Sequence, residues 1–161
     1  MHKDPKIITL ESKKLVGHSI EMSLIGNKTF QLFSGFMPLR KQIKNAINTD
    51  VYEVLIYNSN YLKSFSSANT FTKWATVAVE NYDTIPEGMD TFNLDSGLYA
   101  VFNYKGLPKG FGVFMSYIYT NWLPNSKYQL DQRPHFNLLG EKAKRNSPDS
   151  EEEVWIPIKL K

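Results

Sequence analysis

Apolar and polar residues alternate between Ile7 and Leu24 in two β-like stretches, Ile7-Ile8-Thr9-Leu10 and Leu15-Val16-Gly17-His18-Ser19-Ile20. The pattern predicts one long, bent strand, with Gly17 marking a bulge. Gly26-Asn27 then punctuates the chain, and Phe30, Phe33, Phe36 and Met37 recur at helical spacing as far as Pro38, whose ring kinks or stops a helix. Leu39, Ile43 and Ile47 continue at a four-residue spacing and predict a further helical stretch to Ile47. The runs Val51 to Tyr57 and Phe71 to Val79, the second centred on Trp74, have the β-branched and aromatic composition of strands. The first half therefore reads strand, helix, strand, strand.

The second half repeats that order. Met89 to Tyr104 has β composition, interrupted at Asp95-Ser96-Gly97, and Phe111, Phe114, Met115, Ile118 and Trp122 form the best helical stripe in the chain, ended by Leu123-Pro124-Asn125. Strands follow around His135 to Leu139 and from Glu152 to Ile158, leaving 58–70 and 140–150 as long loops. Displaced by 81 residues, Phe30, Phe33, Phe36 and Trp74 fall on Phe111, Phe114, Tyr117 and Trp155, where roughly one coincidence would arise by chance. The expectation is an α+β fold in which two tandem strand-helix-strand-strand modules, about 7–80 and 89–160, are related by pseudo-twofold symmetry. An antiparallel sheet carries helices that line a central cleft, and residues 1–161 form a single domain. Clefts of this kind are where small-molecule sites concentrate.

Composition narrows the chemistry. The 161 residues are 42% hydrophobic and contain no cysteine, which excludes a disulfide framework, a thiolate metal site and a cysteine nucleophile and suits a reducing compartment. The segment Met1-His2-Lys3-Asp4-Pro5 has no apolar core of a signal, and no apolar run reaches membrane-spanning length; the expected location is the cytoplasm, with no membrane association. The net charge is only +3, with basic and acidic residues interspersed. Arg40-Lys41-Gln42-Ile43-Lys44 reads as the wet face of an amphipathic helix, and Lys142, Lys144 and Arg145 as a solvated loop, so nucleic acid is not the expected partner. His2, His18 and His135 show no metal-ligand spacing. The Gly-rich stretch Gly106 to Gly112 fits no phosphate-loop or dinucleotide pattern. No metal, no cofactor and no catalytic residue is expected.

Candidate ligand residues come from the last strand and the helices. Alternation puts Glu153, Trp155 and Pro157 on one face and Val154, Ile156 and Ile158 on the other. A carboxylate beside an indole suits an organic cation or a hydrogen-bond donor; the alternative is that Glu153 is merely the last of three solvated acids at the start of a strand. Phe111, Phe114 and Ile118 read as core. Tyr117 and Trp122 carry polar atoms that seek partners when buried, Phe33 and Phe36 are first-half counterparts, and Tyr99 either offers a hydroxyl to the cleft or packs as an ordinary strand residue.

Four motifs, Gly97-Leu98-Tyr99-Ala100-Val101-Phe102, Tyr119-Thr120-Asn121-Trp122-Leu123-Pro124-Asn125-Ser126, Arg133-Pro134-His135-Phe136 and Glu153-Val154-Trp155-Ile156-Pro157-Ile158, together resemble a standalone GyrI-like (gyrase-inhibitor-like) effector-binding domain. That module is also found in AraC-type and MerR-type regulators. The resemblance covers nearly the whole chain and implies two tandem modules around a groove that takes bulky aromatic or cationic compounds, with the acid at position 153 pointing into it. Asn137 stands where this branch usually has an acid, and Ala143 where it usually has a tyrosine. The leading expectation is a small-molecule-binding protein using Glu153, Trp155, Tyr117, Trp122, Tyr99, Phe33 and Phe36, in transcription regulation or in toxin and drug sequestration. It has no helix-turn-helix for DNA, so a regulatory role would require a separate partner or sequestration of the ligand. The alternative is a hydrolase of reactive toxins with Glu153 as general base, as some GyrI-like proteins resemble such enzymes through groove Glu and Tyr residues. A third reading is a protein-interaction module of the gyrase-inhibitor type.

Overall fold

A computed structural model describes residues 4–161; Met1, His2 and Lys3, with the histidine noted above, lie outside the described residues. The elements are β1 (Lys6–Leu10), β2 (Lys13–Met22), α1 (Thr29–Phe36), β3 (Val51–Ile56), β4 (Phe71–Val79), β5 (Asp90–Leu94), β6 (Gly97–Lys105), α2 (Phe111–Tyr117), β7 (Tyr128–Leu130), β8 (His135–Leu139) and β9 (Glu151–Leu160). A 3-10 turn, Met37–Gln42, follows α1, and α2 runs on through a π-helical turn, Ile118–Trp122, into the short α3 (Leu123–Asn125). The fold is α+β.

All strand pairs are antiparallel, in the order β1-β6-β9-β8-β3-β4-β2-β5, with β7 added on β9. The predicted long strand breaks at Glu11-Ser12 into β1 and β2, and its second-half counterpart breaks into β5 and β6. The β1–β6 and β2–β5 ladders are in one register, Lys6 opposite Val101 through Lys13 opposite Leu94. Each half thus lends its first strand to the other.

Alternation divides the side chains between two faces of the curved sheet. On one, Leu10, Leu15, Leu94 and Tyr99 of the bent strands close over Tyr52, Val54, Phe136 and Trp155 of the central strands. On the other, α1 covers Val16, Ala75 and Val77 with Leu32 and Phe36, and α2 with its π turn covers Phe102, Val154 and Ile156 with Phe114 and Ile118. Burying a side chain of this size contributes about 1.5–3 kcal/mol.

Three expectations need correction. Gly17 is not a bulge, because the β2–β4 register runs through it unbroken. A Cβ there would lie 1.9 Å from the Ala75 carbonyl oxygen, so glycine is required by close backbone approach. The helical stretch to Ile47 stops at Gln42; Pro38 opens a 3-10 turn and the chain then drops onto the sheet through an Ala46–Val79 bridge. In the helices the repeat is offset by one residue more than the aromatic match suggests, since Leu32 and Phe36 of α1 take the buried positions that Phe114 and Ile118 take around α2. Trp74 and Trp155 do correspond, facing Val54 and Phe136 across equivalent ladders.

Candidate functional site

The two helices cover opposite ends of one sheet face, and the central strands β3 and β8 lie between them. Tyr52, Val54 and Phe136 of these strands point to the concave core, so Glu53, His135 and Asn137 turn to the helix side. All three are buried. A polar floor therefore separates two apolar helix-packing regions.

Glu53 and Asn137 are direct cross-strand partners, and Asn137 Nδ2 donates to Glu53 Oε1 at 2.8 Å. The other carboxylate oxygen lies 3.4 Å from Lys73 Nζ of β4. Lys73 also donates to Thr29 Oγ1 at 2.8 Å, which ties the first turn of α1 to the floor. The structure thus satisfies the buried carboxylate twice, and removing one partner of such a group is strongly destabilising. On β9, burial and then the charge of Glu53 push the Glu152 carboxyl up to about 7, with Lys73 opposing the rise. That value lies where small changes in the site move its proton.

One end of the floor is aromatic. Tyr57 packs against Tyr61 at 4.4 Å, Phe71 at 5.1 Å and the edge of His135 at 4.9 Å between ring centroids. Tyr61 comes from the long 58–70 loop, whose Ser67 carbonyl accepts from Ile25 N–H at 3.1 Å. Tyr119 reaches this group from the π turn, its hydroxyl 3.4 Å from His135 Nδ1. π turns inside helices commonly mark functional sites, because the extra residue redirects a side chain. Burial raises the Tyr119 phenol, and raises Tyr57 well above the ordinary range, with Tyr119, Tyr61 and Glu53 adding to it. Both remain hydroxyl donors at neutral pH. Burial, helped by Arg133, lowers His135 to about 3, so its ring is neutral.

The two sides of α1 differ. Gln31, Leu32 and Gly35 face a hollow of about 330 Å³ toward His18, Gly88 and Asp90 at the edge of the sheet. Phe30, Phe33 and Met37, spaced i, i+3 and i+7, stand on another side, with Phe30 and Met37 exposed. The Arg145 guanidinium of the 140–150 loop lies 5.2 Å from the Phe30 ring. That loop joins β8 to β9, so this side of α1 looks toward the middle of the sheet.

The seven residues singled out from the sequence fall into three separate clusters. Tyr99 and Trp155 pack on Phe136 in the concave core; the Tyr99 hydroxyl donates to the Pro134 carbonyl at 2.7 Å, and burial pushes it up to about 12. Glu153 shares their face, accepting from Trp155 Nε1 at 3.1 Å, and borders a hollow of about 370 Å³ with Asp50, Asn103 and Glu141. The expected pairing of acid and indole is thus present, on the side away from the helices, because Val154, Ile156 and Ile158 occupy the helix side. Phe36 is fully buried under α1 with Phe33 beside it. Tyr117 is half-buried beneath α2, and Trp122 stands edge-on to Phe102 and stacks on Tyr128 of β7. Sequence reasoning passed over Glu53, Lys73, Tyr57 and Tyr119. An acid in the middle of a β-rich run was the available signal for the first.

Two helices on one face of a curved antiparallel sheet, with a carboxylate and phenols on the floor between them, define a two-module effector-binding architecture. The chain belongs to the Cass2 family of integron-associated effector binding proteins, whose model matches residues 6–158. Among solved structures it is similar to SAV2435 bound to tetraphenylphosphonium, at TM-score 0.74 and 17% identity over 98% of this chain and 94% of that one. It is also similar to the EcmrR C-terminal domain, at TM-score 0.66 and 13% identity over 97% of each chain. A third likeness is to a hydrolase encoded by lin2189 from Listeria innocua, at TM-score 0.64 and 8% identity over 98% of this chain and 93% of that one. At these identities the likeness shows the GyrI-like fold alone. No curated protein matches the chain. Among the described residues no helix is long and apolar enough to cross a membrane.

Proposed function

We propose that this protein binds bulky aromatic compounds, organic cations among them, in the cleft between α1 and α2. The observation that carries the reading is the buried Glu53 carboxylate, held by Asn137 and Lys73 beside the phenols of Tyr57 and Tyr119. A floor of this kind gives flat rings apolar area, edge contacts and one oriented charge. Phe33 belongs to the α1 side of the cleft, while Glu153, Trp155 and Tyr99 support the floor from behind. The family's effector binding and the tetraphenylphosphonium complex of SAV2435 support the same reading. The role is cytoplasmic, either sequestration of a toxic compound or signalling to a separate regulatory partner. Titration with tetraphenylphosphonium, followed by calorimetry, tests the proposal. Glu53→Gln should weaken binding about tenfold or more, and unchanged affinity would remove Glu53 from the site.

A second reading, hydrolysis of a reactive aromatic electrophile, draws on one observation. Glu152 holds a proton near neutrality within electrostatic reach of Glu53, so that an acid and a base face one cleft. The hydrolase from Listeria innocua lends it some support. Mass spectrometry separates the two: turnover favours the enzyme, and stoichiometric capture of intact compound the binder.

A further inference from the structure

Lys73 raises a question that cation binding alone leaves open. Its ammonium sits 3.4 Å from the Glu53 carboxylate and 2.8 Å from Thr29 Oγ1, with only 12% of its side chain exposed. The site therefore already contains a cation on its own acid. A lipophilic monocation entering the cleft meets a carboxylate whose charge is matched, and it gains fully only by displacing Lys73, which α1 holds in place through Thr29. An ammonium has three N–H donors. One is given to Thr29 Oγ1, and the Glu53 carboxylate stands in ion-pair range of the same nitrogen.

Deepening the cleft reading above, on which it rests, we propose that Lys73 determines ligand selectivity, favouring aromatic compounds that carry a carboxylate or strong acceptor beside any amine over simple lipophilic cations. The acceptor takes an N–H of the Lys73 ammonium, and the amine faces Glu53 and Glu152. Rings lie toward Tyr57, Tyr61 and Tyr119 at the aromatic end. The bond to Lys73 is ionic on both sides only when the ligand's acceptor is anionic, and an ester carbonyl in its place makes the weaker contact, charged on the donor side alone.

The test uses the full chain and one xanthylium dye in two forms, the methyl ester, which is a cation, and the free acid, which is a zwitterion, with tetraphenylphosphonium as a third probe. The wild-type protein should bind the free acid at least about fivefold more tightly than the ester. Lys73→Met should reverse the order, losing about tenfold on the acid and gaining about tenfold on the ester and on tetraphenylphosphonium. Lys73→Gln keeps an N–H for Glu53 and should show the same reversal should the Met variant fail to fold. Binding by both proteins with the dye ratio unchanged overturns the role of Lys73 and leaves the cleft standing. Failure of all three probes to bind either protein overturns the cleft reading and this inference with it.

Discussion

Replacing Glu152 by glutamine should change how stability depends on pH. The folded protein raises this carboxyl from 4.5 to about 7, burial first and the Glu53 charge second. Below pH 4.5 the group is protonated in both states and costs nothing. As pH rises from 4.5 to 7 the unfolded chain loses the proton while the folded one keeps it, so stability falls; above 7 the loss is complete. A shift of this size corresponds to roughly 3 kcal/mol, or about 1.4 kcal/mol per pH unit within the window. Glutamine fixes the neutral form and removes the loss. Urea unfolding of both proteins at intervals from pH 4 to pH 8.5 should show the variant gaining steadily on the wild type, by about 2–3 kcal/mol at the upper end. For a chain of this length that is on the order of 6–10 °C in thermal midpoint. Parallel stability curves would refute the reasoning, since they would mean that Glu152 ionises freely and that the Glu53 charge does not reach it.

Two further substitutions probe the framework. Gly17→Ala should destabilise by several kcal/mol, on the order of 3 or more, because the added carbon meets the Ala75 carbonyl at 1.9 Å; a urea midpoint within error of wild type would disprove the close approach. Glu153→Gln should leave tetraphenylphosphonium affinity within about twofold while altering Trp155 fluorescence, since the carboxylate accepts from the indole N–H behind the floor. A tenfold loss of affinity would return Glu153 to the cleft.

The α+β architecture was legible because alternation and helical spacing are local. Each module announces itself through residues such as Trp74 and Trp155, whose bulk needs an equivalent hollow in both halves. The faces of β9 were legible for the same reason. Strand alternation separates Glu153 and Trp155 from Val154 and Ile156, but only packing tells which side the helices take. Glu53 and Asn137 are 84 residues apart, and nothing local in either strand specifies their pairing. Asn137 stood out only as a departure from the family's usual acid. Tyr119 depends on a π turn, which a 3.6-residue period cannot anticipate.

The crossing of β1 onto β6 and of β5 onto β2 has a consequence for assembly. Neither half completes its own hydrogen bonding; each begins with an arm that pairs with the other. Partners so distant along the chain must meet before either is rewarded, which slows folding relative to a protein of local contacts. The same geometry lets two copies of one such half close an equivalent sheet by trading arms, so a dimer of short chains and one chain of doubled length are alternative solutions to a single packing problem.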